Sequence, residues 1–129
     1  MATIFSKIIS GEIPCYKIAE SEKFLAFLDI QPVAKGHALV VPKIEVDFFF
    51  DLDEDYLQEI NLFARDIAKK MKKVIPCKRI GVAIIGLEVP HAHVHLIPMN
   101  TIGDMNFTNP RLQFSTEEYQ SLAKSISEA

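Results

Sequence analysis

Three of the chain's 4 histidines fall in one short stretch, Pro90-His91-Ala92-His93-Val94-His95-Leu96-Ile97-Pro98. In an extended strand, side chains at i, i+2 and i+4 share a face. His91, His93 and His95 then line up, while Ala92, Val94 and Leu96 turn to the opposite, core-facing side. A rise of about 3.3 Å per residue sets successive imidazoles roughly 6.6 Å apart. A mostly neutral imidazole can attack phosphorus, and flanking imidazoles can orient it and donate hydrogen bonds to phosphate oxygens. Two other chemistries compete with that one. Packing accounts well for one buried histidine but poorly for three in strict alternation. Zinc needs a third and fourth ligand from elsewhere, and His37 is the only candidate helper. The interior position excludes a purification tag.

The elements that must carry these residues follow from local pattern. Thr3 to Ser10 reads as a short helix, with Ile4, Ile8 and Phe5 on one side and Gly11 ending it. Tyr16 to Ala19 and Lys23 to Leu28 read as strands joined by Glu20-Ser21-Glu22, and His37 to Val41 as a third, stopped by Pro42. A long helix is predicted from about Leu52 to Ile75. Its apolar stripe is Tyr56, Leu57, Ile60, Phe63, Ala64, Ile67, Ala68, Met71 and Val74. Asp51 is its expected N-cap, with Glu54 three residues on, and Pro76 stops it. Its lysines, Lys69, Lys70, Lys72 and Lys73, read as a solvated face near the helix end. Arg79 to Ile85 and about Ala92 to Ile97 are two more strands. An Asn-rich loop and a helix from about Thr116, capped by Ser115 with Glu118, complete the chain. Short-linked strand pairs beside helices predict an α+β domain with a mostly antiparallel sheet.

Composition narrows the function classes. The chain has 129 residues, 49% hydrophobic, with 14 basic against 17 acidic side chains and a formal net charge of −3. That length fits a single domain over 1–129, with a core of about 3–98 followed by a loop and helix over about 99–129. The charge balance argues against a nucleic-acid polymer or an anionic lipid surface as partner. No apolar run approaches the roughly 18 residues of a membrane span, and Met1 to Phe5 lacks a basic leader pattern, so a cytoplasmic location is expected. Cys15 and Cys77 have no CxxC spacing and read as free thiols.

At the histidine stretch the sequence resembles the histidine triad (HIT) superfamily, whose hallmark is His-φ-His-φ-His-φφ with φ apolar. His91-Ala92-His93-Val94-His95-Leu96-Ile97 matches throughout. Thr3 to Pro14, Phe24 to Pro32 and Gly36 to Lys43 look like segments of the HINT-like (histidine triad nucleotide-binding) branch, so the likeness spans about Thr3 to Pro98. It implies a HIT-like fold: a five-stranded antiparallel sheet with one long helix, joined to a second copy in a homodimer. It also implies hydrolase or transferase chemistry at the α-phosphorus of a purine nucleotide or nucleoside phosphoramidate, with no cofactor. Position by position, His93 is the implied nucleophile, forming a nucleotidyl-histidine. His91 and His95 flank it, and His37 joins the cluster. Asp29 is implied to accept from the ribose hydroxyls, although an Asp before Gln31-Pro32 also fits a turn. Phe5, Ile8, Phe27, Leu28 and Ile30 are implied to form the slot for the base.

The sequence also departs from the family pattern. Bacterial relatives with a structural zinc place CxxC and a further His where this chain has Thr3, Ser6 and Glu45, so no metal is expected. Catalytic relatives carry Gly-Gln-x-Val before the triad and an Asn upstream of it. Here Gly86-Leu87-Glu88-Val89 removes an amide donor and sets a carboxylate close to an anionic substrate, and Ile80 stands near the Asn position. Glu88 then either turns away or selects a leaving group bearing a cation or an exchangeable proton. The alternatives carried forward are a nucleotide-binding module with weak or no catalysis, a dinucleoside polyphosphate hydrolase, and a zinc-dependent hydrolase. The segment after Met99 is expected to cover the pocket or extend the dimer. Phe48-Phe49-Phe50 reads as an apolar anchor ahead of the long helix.

Overall fold

The structure is a computed structural model and describes residues 2–129. In chain order its elements are α1 (Ile4–Ile9), β1 (Lys17–Glu20), β2 (Phe24–Leu28), β3 (Ala38–Pro42), α2 (Glu54–Val74), β4 (Arg79–Ala83), β5 (Val94–Met99) and α3 (Thr116–Ser127). Short 3-10 turns lie at Phe49–Asp51 and Ile102–Met105. The strands form one antiparallel sheet in the order β1-β2-β3-β5-β4. The expected five-stranded α+β architecture is therefore present. No helix among the described residues is long and apolar enough to cross a membrane.

Strand alternation sorts the side chains into two layers. Phe24, Ala26, Leu28, Ala38, Val40, Val94 and Leu96 pack with α2 and α3 on one face of the sheet. Leu25, Phe27, Leu39 and Val41 face the other way and meet Phe5 of α1. Every residue of β2 and β3 is buried, because both faces of these central strands are covered. Asp29 and His37 directly abut β2 and β3, and the backbone bond from Asp29 N to His37 O (2.9 Å) extends that pairing by one step. They continue the odd-numbered, α1-facing row, which is where the triad also lies.

Two local expectations need correction. Asp51 does not cap α2, because it is the last residue of a 3-10 turn. The cap is Asp53, whose Oδ1 accepts from Tyr56 N at 2.9 Å. Of the three phenylalanines ahead of the helix, only Phe49 is an anchor; Phe48 and Phe50 are 60% and 72% exposed. At the other end of the chain, Ser115 and Glu118 form the predicted capping box of α3.

β5 begins at Val94, two residues later than its predicted start, so His91 and His93 precede the strand. The cause is a bend: His91 N bonds Val89 O (2.8 Å) and Ala92 N bonds Val46 O (2.7 Å), which takes both amides out of the sheet ladder. The His91 and His93 rings both meet Phe5 edge-on, so they still lie on the α1 side of the sheet. The His93 and His95 ring centroids are 4.9 Å apart, closer than the roughly 6.6 Å of a straight strand.

Candidate active site

All 4 histidines are buried. They are ordered by hydrogen bonds whose donor directions can be deduced. A backbone amide only donates and a carbonyl only accepts, so each neutral ring's tautomer follows from its partners. Val33 N donates to His37 Nδ1 (3.1 Å), which places the His37 proton on Nε2. That Nε2–H then donates to His95 Nδ1 at 2.9 Å, leaving the His95 proton on Nε2. His93 Nδ1 lies 2.7 Å from His91 O and must donate to it, so the His93 lone pair is on Nε2. His91 Nε2 donates to Pro42 O (2.9 Å), so its Nδ1 accepts the Thr3 hydroxyl proton at 2.8 Å. Nε2 of His93 and Nε2 of His95 take no hydrogen bond from the described residues. One offers a lone pair and the other a proton.

Electrostatics support neutral rings. Burial, above all, pushes the His37 pKa down to about 4, helped by the Arg111 charge. Burial likewise pushes His95 to about 3, with His93 and His37 adding to the effect. His93 is lowered from its ordinary value mainly by burial, against the opposing pull of its bond to His91 O. A charged imidazole loses hydration here that the opposing pull of Asp29 on His93 and His95 does not offset.

Two of the four histidines open onto a cavity of about 560 Å³. His93 and His95 line it, with Phe5, Ile8, Ile13, Pro14, Cys15, Phe27 and Leu39 giving it apolar walls. Phe5 sits edge-on to His93, ring centroids 4.9 Å apart, so α1 fixes one side of the ring. Ile30 borders the cavity at a 68% exposed position, and Leu28 borders it while also packing in the core beneath the sheet. Asp29 forms the turn and also borders the cavity. Oδ1 accepts from Gln31 N (2.8 Å) in the turn, and Oδ2 lies 3.6 Å from His37 Nε2 at the cavity wall.

Leu87 and Glu88 also line the cavity. Leu87 is 89% exposed, and Glu88 is near enough to raise the His93 pKa against the effect of burial. Ile80 packs on the helix-side core and takes no part in the cavity. Thr3 and Ser6 bond one another and, through Thr3, His91. Among the described residues, one group has metal-ligand geometry: Asp29, His37 and His95, whose ligand atoms lie within 4.8 Å of one another. A metal there would have to displace the proton shared by His37 and His95.

The segment after Met99 does cover the cavity, one of its two expected places, but sequence reasoning named none of the residues that do so. Phe107, Thr108 and Arg111 complete the cavity wall. Phe107 meets His95 edge-on with ring centroids 4.8 Å apart. A polar, Asn-rich loop gives no local sign of such contacts. The only hint was that a segment beyond the triad needed a place to pack.

Known proteins are similar to this chain in sequence and in fold. An uncharacterized HIT-like protein of Mycoplasma genitalium is 39% identical over 95% of this chain and 92% of its own length. The adenosine 5′-monophosphoramidase hnt1 of Schizosaccharomyces pombe is 37% identical over 98% of this chain and 97% of its own. The crystal structure of a Hit-like protein from Bartonella henselae superposes with a TM-score of 0.85 at 32% identity, covering 98% of this chain and 94% of that one. The HIT domain family model matches residues 10–102, a span that holds Asp29, His37 and the whole triad, and the chain belongs to that family.

Proposed function

We propose that this protein hydrolyses nucleoside 5′-phosphoramidates, with a purine base in the apolar slot, by double displacement through His93. The observation that carries this reading is the pinned tautomer of His93: Nδ1–H is committed to His91 O, so the lone pair on Nε2 borders the cavity. Attack of Nε2 on the α-phosphorus forms a P–N bond as the P–N bond to the leaving amine breaks. The amine departs with a proton drawn from water, while the neutral His95 ring keeps its Nε2–H and donates it as a hydrogen bond to the reacting phosphoryl group. Water then attacks the nucleotidyl-histidine, releasing the nucleoside monophosphate and restoring the ring. His91 holds the carbonyl that orients His93, and Asp29 accepts from the ribose hydroxyls. The name of the fission-yeast relative supports the substrate class.

A homodimer joined through the sheet is part of this proposal. β4 is an edge strand, and Val82 on it and Ile84 and Ile85 just after it are 59%, 41% and 46% exposed, an apolar edge that a second copy would cover. Sedimentation at micromolar concentration is expected to give twice the protomer mass, and a monomer would remove the dimer from the proposal.

The test of the chemistry is mass spectrometry of the intact protein after brief exposure to adenosine 5′-phosphoramidate, denatured at alkaline pH because the P–N bond is acid-labile. An adduct of one nucleotidyl group is expected in the parent and none in His93→Ala. Turnover by His93→Ala at the parental rate would overturn the mechanism. Tight AMP binding without turnover of any phosphoramidate or dinucleoside polyphosphate would favour a binding module.

A further inference from the structure

The segment after β5 crosses back over the site and is tied to the turn that carries Asp29. Arg111 Nη1 donates to Gln31 O at 2.8 Å, and Leu112 N donates to Pro32 O at 2.9 Å. Gln31 N in turn holds Asp29 Oδ1. Arg111 Nη2 donates to Phe107 O (3.1 Å), and the guanidinium carbon stands 5.8 Å from the centre of the Phe107 ring, which packs on His95. The guanidinium is thus held from two sides at the His95 and Asp29 end of the cavity.

Three properties single Arg111 out. Among the described residues it is the only lysine or arginine lining the cavity. Among the described residues it has no carboxylate partner. Its two carbonyl bonds use only part of the five N–H donors of a guanidinium, so others remain for a ligand. The rest of the lining offers an anion little help. Asp29 and Glu88 are acidic, Leu87 stands where an amide was expected, and burial holds the lining imidazoles His93 and His95 below their ordinary pKa. A phosphate-bearing ligand entering among these groups lacks a fixed countercharge unless Arg111 supplies it.

We propose that Arg111 is a substrate-binding residue whose guanidinium receives an anionic group of the nucleotide, so that the C-terminal segment forms part of the site. Arg111 is not placed in the chemical step. The inference rests on the nucleotide reading above for its choice of ligands. The anion has two possible sources, the α-phosphate or a charged leaving group, and the experiment separates them. The same charge weighs against a cation at Asp29, His37 and His95, since Arg111 lies close enough to depress both imidazoles.

The experiment compares the parent with Arg111→Gln and Arg111→Lys by calorimetric binding of AMP and of adenosine, and by kcat/KM on adenosine phosphoramidates with a neutral-amine or an amino-acid leaving group. Charge-assisted hydrogen bonds of this kind correspond to roughly 10- to 100-fold in affinity. Arg111→Gln is expected to weaken AMP by that factor while leaving adenosine unchanged, and Arg111→Lys is expected to keep most of the preference for AMP. Unchanged AMP binding with a selective loss on the amino-acid substrate would assign the anion to the leaving group, and the proposal would stand. Equal losses for AMP and adenosine would overturn it, showing that Arg111 only braces the Asp29 turn. No loss on any anionic ligand would also overturn it while leaving the nucleotide reading intact. A parent protein that binds neither AMP nor adenosine would overturn both.

Discussion

Thr3 Oγ1 lies 2.8 Å from His91 Nδ1, so the residue that caps the first helix also orients the first histidine of the triad. The hydroxyl donates, because His91 spends its own proton on Pro42 O. The carbonyl of His91 then holds His93. Thr3→Val keeps the shape but removes the donor, leaving a buried Nδ1 acceptor unsatisfied and α1 uncapped. A loss of about 1–3 kcal/mol in stability follows from those two deletions. Because His93 would lose its fixed orientation, kcat is expected to fall more than KM rises. Thr3→Ser keeps the donor and should restore both properties. If Thr3→Val left kcat and the denaturation midpoint unchanged, this relay would not hold the triad.

The neutral state of His37 and His95 makes stability pH-dependent in a defined direction. Their folded pKa values, about 4 and about 3, lie below the ordinary 6.5. Above pH 6.5 folded and unfolded chains bind no proton at these sites, so they contribute no slope. As pH falls below 6.5 the unfolded chain gains protons that the native rings refuse, and stability declines until the folded values are reached. The cumulative loss is of the order of several kcal/mol across the pair. Urea melts at pH 7.5, 5.5 and 4.5 should show a falling midpoint, with a shallower fall in His37→Gln. A flat profile in the parent would mean that these rings are not held neutral.

Asp29 divides its two oxygens between fold and cavity, and Asp29→Asn separates those duties. The amide oxygen can still accept from Gln31 N, so the turn and the melting temperature should be kept. The charge that would grip the ribose is lost, which predicts roughly a 10- to 100-fold weaker grip on ribonucleotides. Competition with AMP and its 2′,3′-dideoxy analogue reads this directly. The parent should prefer AMP, and the variant should bind both alike. Undiminished preference in Asp29→Asn would remove Asp29 from the ribose site.

The difference between what local sequence shows and what only the fold shows is visible in these residues. The alternation that puts His93 and His95 on one face is a property of adjacent positions, as is the Ser115–Glu118 capping box. Asp53 won the α2 cap from Asp51 because a 3-10 turn at Phe49–Asp51 delays the helix, a choice between two equally good capping residues that tertiary anchoring of Phe49 decides. The bend before Val94 depends on Val46, far upstream, accepting the Ala92 amide. The contact of Thr3 with His91 spans 88 positions and that of Arg111 with Gln31 spans 80. No periodicity encodes such pairs, so the triad was legible while the parts played by Thr3, Val46 and Arg111 were not.

Gly36 carries the geometry that delivers His37 to His95, and it is constrained twice. Its φ of +88° lies in the left-handed region, where a side chain is disfavoured by about 1–2 kcal/mol. A Cβ at this position would also overlap Cδ1 of Ile75, at the end of α2. Ile75 is buried in the helix-side core, so it has little room to yield. Relief of that overlap costs about 1–3 kcal/mol more, as overpacked cores do. Gly36→Ala is therefore expected to destabilise by about 2–5 kcal/mol, read from the urea midpoint at constant m. The companion variant Ile75→Val/Gly36→Ala removes the overlapping methyl and leaves the φ penalty plus the cost of Ile75→Val, measured in the single variant. Recovery of part of the loss in that double variant would separate the two causes. An additive double variant would instead place the whole effect in the backbone of Gly36.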